Sequence, residues 1–152
     1  MAHNYIYEVS YFPVHPGERS DAASVEISNR WFIGQRADRV TDVRDRDYAI
    51  LALEQLEKAG RGISIREDEN GRYLLVTSKE DFFRPMWERF KKEMDSTVSL
   101  EKYMAYAKDD ETHDVPYIFM DGVLDHLAAF VRSNECAENT PYYLGGIVDY
   151  HC

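Results

Sequence analysis

Residues 5–12 set Tyr5, Tyr7, Val9 and Tyr11 against Ile6, Glu8, Ser10 and Phe12, the two-residue period of a strand with an aromatic face. The chain closes on a second strand-like run, Tyr142 to Tyr150, in which Gly145-Gly146 marks a bulge or a close backbone approach. Between these ends, strand and helix patterns follow one another without regular strand–helix alternation and without an internal repeat. That order predicts an α+β fold: a mainly antiparallel sheet of four to six strands with three to four helices packed on it. At 152 residues the chain is the size of one ordinary domain, large enough to bury about two thirds of its unfolded surface without a metal or disulfide. A single domain over 1–152 is expected.

The interior elements follow from local spacing. Pro13 to Ser24, with Pro16-Gly17 inside it, reads as a loop before the strand-like Val25, Ile27 and Trp31 to Ile33, which makes a long-looped hairpin with the first strand. Thr41 or Asp42 can cap a helix whose Ala49, Ala52, Leu53, Leu56 and Ala59 share a face and which Gly60 ends. Asn70-Gly71 predicts a type I′ hairpin that sets Ile65 opposite Val76 and Glu69 opposite Arg72. Phe83, Met86, Trp87, Phe90 and Met94 form an apolar helical stripe with Trp87 at its centre, expected in the core, and Pro85 implies that regular helix begins near Asp81 to Arg84. Leu100, Tyr103, Met104 and Ala107 repeat the spacing on a shorter helix. After Pro116 come a short strand, Tyr117 to Met120, and then Asp121, read as the cap of a helix with Leu124, Leu127, Ala128 and Val131 inward and Asp125, His126, Ala129 and Arg132 outward.

Charge is distributed unevenly along this pattern. Nine of the 28 acids lie in 109–152, where Arg132 is the one base, so that third is about eight units negative; residues 1–108 carry 19 acids against 17 bases. Such a field repels nucleic acid and membrane surfaces and attracts basic partners. The basic residues Arg36, Arg39, Arg44 and Arg46 alternate with Asp38, Asp42, Asp45 and Asp47, so no basic stripe is offered to phosphates. The N-terminus has no basic region followed by an apolar run, and no stretch approaches the ~20 apolar residues of a membrane span. A cytoplasmic location is expected, with Cys136 and Cys152 reduced.

Catalytic and metal-binding motifs are missing. His113, Asp114, His126, Cys136, His151 and Cys152 supply donor atoms, yet their spacing matches no paired-ligand signature, so no metal and no cofactor is expected. Cys136 sits between Glu135 and Glu138, which would raise its pKa and weaken it as a nucleophile. No nucleophile elbow, phosphate loop or dinucleotide fingerprint occurs. The sequence therefore points to a non-enzymatic interaction protein whose acidic C-terminal third binds a basic partner protein, for example as an inhibitor that occupies the nucleic-acid-binding surface of an enzyme. The residues expected to meet that partner are Asp109, Asp110, Glu111, Asp114, Asp121, Asp125, Glu135, Glu138 and Asp149, with Tyr142 and Tyr143 as aromatic anchors. The alternative is a small enzyme or ligand-binding domain with an apolar pocket between the Phe83 to Met94 stripe and the sheet.

Overall fold

The computed structural model describes residues 3–14, 39–96, 100, 101, 104 and 116–151. Its elements are β1 (His3–Ser10), β2 (Arg39–Asp42), α1 (Arg46–Lys58), β3 (Ile63–Asp68), β4 (Gly71–Val76), α2 (Lys79–Ser96), β5 (Tyr117–Met120), β6 (Val123–His126), α3 (Leu127–Arg132) and β7 (Tyr142–His151). The fold is α+β, and the described residues form one mixed, mostly antiparallel sheet of seven strands, more than the sequence led us to expect. Of the three helices described, α3 is short. The expected strand at 25–33 and most of the short helix at 100–107 lie outside the described residues.

Strand order is β3-β4-β7-β1-β5-β6, with β2 also on β7. Only β1 and β5 run parallel among these pairs. One edge of β7 pairs with β1 along its length; the other pairs with β4 at Tyr142 and Tyr143 and with β2 from Val148 to His151. Between those two stretches the edge of β7 needs other donors, because buried carbonyls must be satisfied. Arg46 supplies them: its guanidinium donates to the carbonyls of Leu144 and Gly145, and the Val43 N–H donates to Ile147 O at 3.1 Å.

Of the two alternatives expected at Gly145-Gly146, a bulge and a close backbone approach, the bulge is present. Tyr7 pairs with Ile147 but Val9 pairs with Leu144, so Gly145 and Gly146 together oppose Glu8. The extra residue reverses the alternation of β7: Tyr142, Leu144 and Ile147 join the core under the helices, while Val148 and Tyr150 face the opposite side with Ile6, Tyr117, Phe119 and Leu124. A Cβ at Gly145 would lie 2.8 Å from Glu8 Cδ, so any side chain at this position must displace that carboxylate. The Glu8 carboxylate accepts the Gly146 N–H at 3.1 Å.

The helical core gathers Tyr7 and Val9 of β1, Ala49, Ile50 and Leu53 of α1, Phe82 of α2, and Leu127, Phe130 and Val131 of α3. The cap of α1 is Asp45, whose side chain accepts the Tyr48 N–H, so neither Thr41 nor Asp42 performs that role; both belong to β2. Gly60 has φ +70 beyond the helix end, as the sequence led us to expect.

Three local readings are corrected. The hairpin of β3 and β4 pairs Ile65 with Leu74 and Glu67 with Arg72, two residues out of the expected register. Glu69 and Asn70 occupy the turn centre, Asp68 accepts the Asn70 N–H at 2.8 Å, and Gly71 takes the positive φ after them. A shift of two keeps every side chain on its face, so the apolar pairing survives. Helix α2 begins at Lys79, with Ser78 Oγ accepting the Asp81 N–H, and Pro85 lies in its second turn. Pro85 and Asp81 are both exposed, where water can satisfy the carbonyl that loses its donor. That same orientation leaves Trp87 54% exposed, stacked on Phe90 at 5.8 Å, while Phe82, one residue before the expected stripe, is buried.

The third correction concerns Asp121. It does not cap a helix: Asp121 (φ 50) and Gly122 (φ 79) both take positive φ and turn β5 back into β6, the pattern of a type I′ hairpin. Residues 123–126 are therefore strand, and helix begins only at Leu127. Leu124, Leu127 and Val131 remain buried and Asp125 and Arg132 exposed, so the expected facing survives the change of element at those positions. His126 is half-buried at the end of β6, its ring 4.4 Å from that of Tyr117, rather than outward on a helix.

Candidate functional site

The β5–β6 hairpin pairs Ile118 with Asp125 and Met120 with Val123, which puts these side chains on the helix-covered side of the sheet. Helix α3 follows at once and brings Phe130 over them, and the chain leaving it contributes Ser133 and Glu135. Together they enclose a cavity of about 240 Å³. Its walls are Ile118, Met120, Val123 and Phe130; its polar lining is Asp121, Asp125, Ser133 and Glu135. Each of the three acids is exposed, as is Val123 at 56%. The cavity is thus apolar in depth and anionic at the mouth.

Both sides of that mouth are held in place. The I′ turn fixes Asp121. On the other side, the loop between α3 and β7 is tied at alternate residues. The Cys136 N–H and Lys79 Nζ donate to Ser133 O at 3.2 and 3.0 Å, and Ser133 Oγ donates to Phe130 O. Tyr11 and Tyr142 both donate to Glu135 O, at 2.8 and 3.0 Å; Tyr142 also accepts the Ala137 N–H at 2.7 Å, and the Asn139 N–H donates to Val76 O. Burial, more than any other cause, holds the Tyr142 hydroxyl above its ordinary pKa while the Ala137 N–H pulls it down. It stays protonated at neutral pH and so can donate and accept at once.

The expected partner-contacting residues separate accordingly. Asp121, Asp125 and Glu135 meet at the cavity although 14 positions separate the first from the last. Glu138 is exposed on the same loop but does not line it. Asp149 lies on β7 between Tyr5 and Thr41, and Tyr143 packs edge-on against Tyr73 with its hydroxyl on Asp68 at 2.7 Å; neither is at the cavity. Tyr142, expected as a surface anchor, is 0% exposed and supports the loop from within the core. Asp109, Asp110, Glu111 and Asp114 lie outside the described residues.

The sequence assigned no site role to Ile118, Met120, Val123, Phe130, Ser133 or Tyr11. The Asp121-Gly122 dipeptide was the available signal, because an I′ turn pairs Ile118 with Asp125 across the hairpin. Among the described residues, none of the Phe83 to Met94 stripe and no other residue of α2 lines the cavity.

Other chemistry is limited. Among the described residues, no group of three or more His, Cys, Asp and Glu could hold a metal ion, and no helix is long and apolar enough to cross a membrane. Cys136 is buried, and that burial, more than the Glu138 charge, raises its thiol pKa against the opposing pull of Lys79. No family model, curated protein or solved structure matches the chain.

Proposed function

We propose that this chain is a non-enzymatic interaction protein that binds a basic partner protein through the acidic surface centred on Asp121, Asp125 and Glu135. The observation that carries the reading is their convergence around one cavity from the β5–β6 hairpin and the α3–β7 loop, whose backbones are fixed separately. Carboxylates carried on a fixed backbone lose less entropy on meeting a cation than those on a loose loop, and a one-signed surface speeds the encounter. A partner whose basic surface otherwise binds nucleic acid would be inhibited, because the same cations cannot serve phosphate and carboxylate together.

The test is affinity capture of basic proteins, identified by mass spectrometry, with two charge-reversed baits. One carries Asp121→Lys, Asp125→Lys and Glu135→Lys. The other carries Glu67→Lys, Glu69→Lys and Glu101→Lys, exposed positions that do not line the cavity. Loss from the first bait alone is expected; equal loss from both would reduce the effect to net charge and refute a localised surface.

A further inference from the structure

The size and lining of the cavity constrain which basic group fits it. Its volume of about 240 Å³ falls below the roughly 300–1,000 Å³ of pockets that engulf a drug-sized ligand or cofactor, so it suits one long side chain. The occupant must be apolar along its stem to replace water against Ile118, Met120 and Phe130, and cationic at its head to stand among Asp121, Asp125 and Glu135. Lysine and arginine both satisfy this outline. The carboxylates come from three separate segments, the β5–β6 turn, β6 and the α3–β7 loop. Serving them together calls for donors that diverge in a plane, which the guanidinium has and the compact ammonium lacks. The guanidinium is also the more weakly hydrated cation and loses less on entering a mouth bordered by Val123.

We propose that the cavity is the receptor for a single arginine side chain of the partner, with the aliphatic stem inside and the guanidinium between the three carboxylates. This rests on the reading of the surrounding surface as a site for a basic protein. Two bases lie close by and do not reverse the sign: Lys79 is engaged with Ser133 O, and Arg132 is exposed on α3.

The test uses the peptide Gly-Gly-Arg-Gly-Gly, its lysine and citrulline analogues, and an octalysine peptide that reports on the acidic surface without arginine, all titrated into labelled protein and followed by amide chemical shifts. The arginine peptide should give saturable shifts confined to 118–125 and 130–135. Affinity should be about millimolar, and the isosteric but uncharged citrulline at least about tenfold weaker. Val123→Trp, which fills the mouth without changing net charge, should weaken arginine by about tenfold or more while leaving octalysine binding in place. If that variant loses its dispersed spectrum, Asp125→Asn with Glu135→Gln replaces it, again with loss of the arginine shifts expected. Equal binding of citrulline, tighter binding of the lysine peptide, or undiminished arginine binding by Val123→Trp would overturn the inference. Salt-sensitive octalysine binding with no arginine shifts would sink the cavity receptor and leave the acidic-surface reading standing; absence of both would sink the two together.

Discussion

Replacing Tyr142 by phenylalanine isolates the hydroxyl that positions one wall of the cavity. The ring is fully buried and packs edge-on against Phe130 at 5.3 Å and tilted against Tyr11 at 5.4 Å, so Phe keeps the packing. The hydroxyl accepts the Ala137 N–H at 2.7 Å and donates to Glu135 O at 3.0 Å. Glu135 O retains the Tyr11 hydroxyl at 2.8 Å, so the backbone group that loses its acceptor is the Ala137 N–H, while the Cys136 thiol also loses its side-chain hydrogen bond with the Tyr142 hydroxyl. An orphaned buried donor costs about 1–3 kcal/mol, and Ala137 is exposed enough for water to recover part of that. Tyr142→Phe should therefore destabilise by about 1–2 kcal/mol, near 2–4 °C in melting temperature per kcal/mol for a domain of this size. Urea unfolding at unchanged m-value measures it. A loss below about 0.5 kcal/mol would mean that the hydroxyl does not hold the loop.

Three further outcomes follow from the packing. Trp87→Ala should cost no more than about 1 kcal/mol because the side chain is half outside, whereas Phe82→Ala, 3% exposed, should cost about 3–5 kcal/mol through cavity formation; chemical denaturation of both variants compares them, and the reverse ranking would refute the assigned helix face. Gly145→Ala should cost about 1–3 kcal/mol by driving the Glu8 carboxylate off the Gly146 N–H, and Glu8→Ala should recover part of it in a double-mutant cycle; strictly additive losses would show that the two do not touch. In a Cys152→Ser background, Cys136 should react with a thiol reagent at neutral pH only on unfolding, because burial keeps the thiol protonated; as pH rises the folded protein should remain less reactive than the unfolded chain, and prompt native labelling would contradict this.

How much the sequence disclosed depended on whether a signal was local. The strand expected over residues 5–12, which in fact ends at Ser10, follows from its period, helix α1 from its period and from the positive φ that Gly60 tolerates behind it, and the irregularity at Gly145-Gly146 from the room that Gly145 leaves for Glu8. Residues 123–131 were ambiguous because Leu124, Leu127 and Val131 can serve either as a helical stripe or as one inward strand residue followed by a helical turn. The buried facing was legible there and the element was not. Trp87 and Phe82 differ by a rotation of α2 that only its docking on the sheet settles. Tyr142 carried the aromatic signature of an anchor, yet the extra residue of the bulge and the pairing with β4 bury it. Asp121, Asp125 and Glu135 were named by charge; what joins them is the hairpin and the short span of α3, and the apolar depth beneath them needed the parallel pairing of β1 with β5, which nothing in either segment announces.

The most direct test of the acidic surface is the octalysine titration of wild-type protein repeated from about 50 to about 300 mM salt, because exposed charges farther apart than the Debye length are screened over that range. The largest amide shifts should fall at 118–125 and 130–135 and fade as salt rises, with much smaller changes around Glu67 and Glu69. Shifts spread evenly over every exposed acid, or binding that ignores salt, would contradict a localised surface built to receive a basic partner.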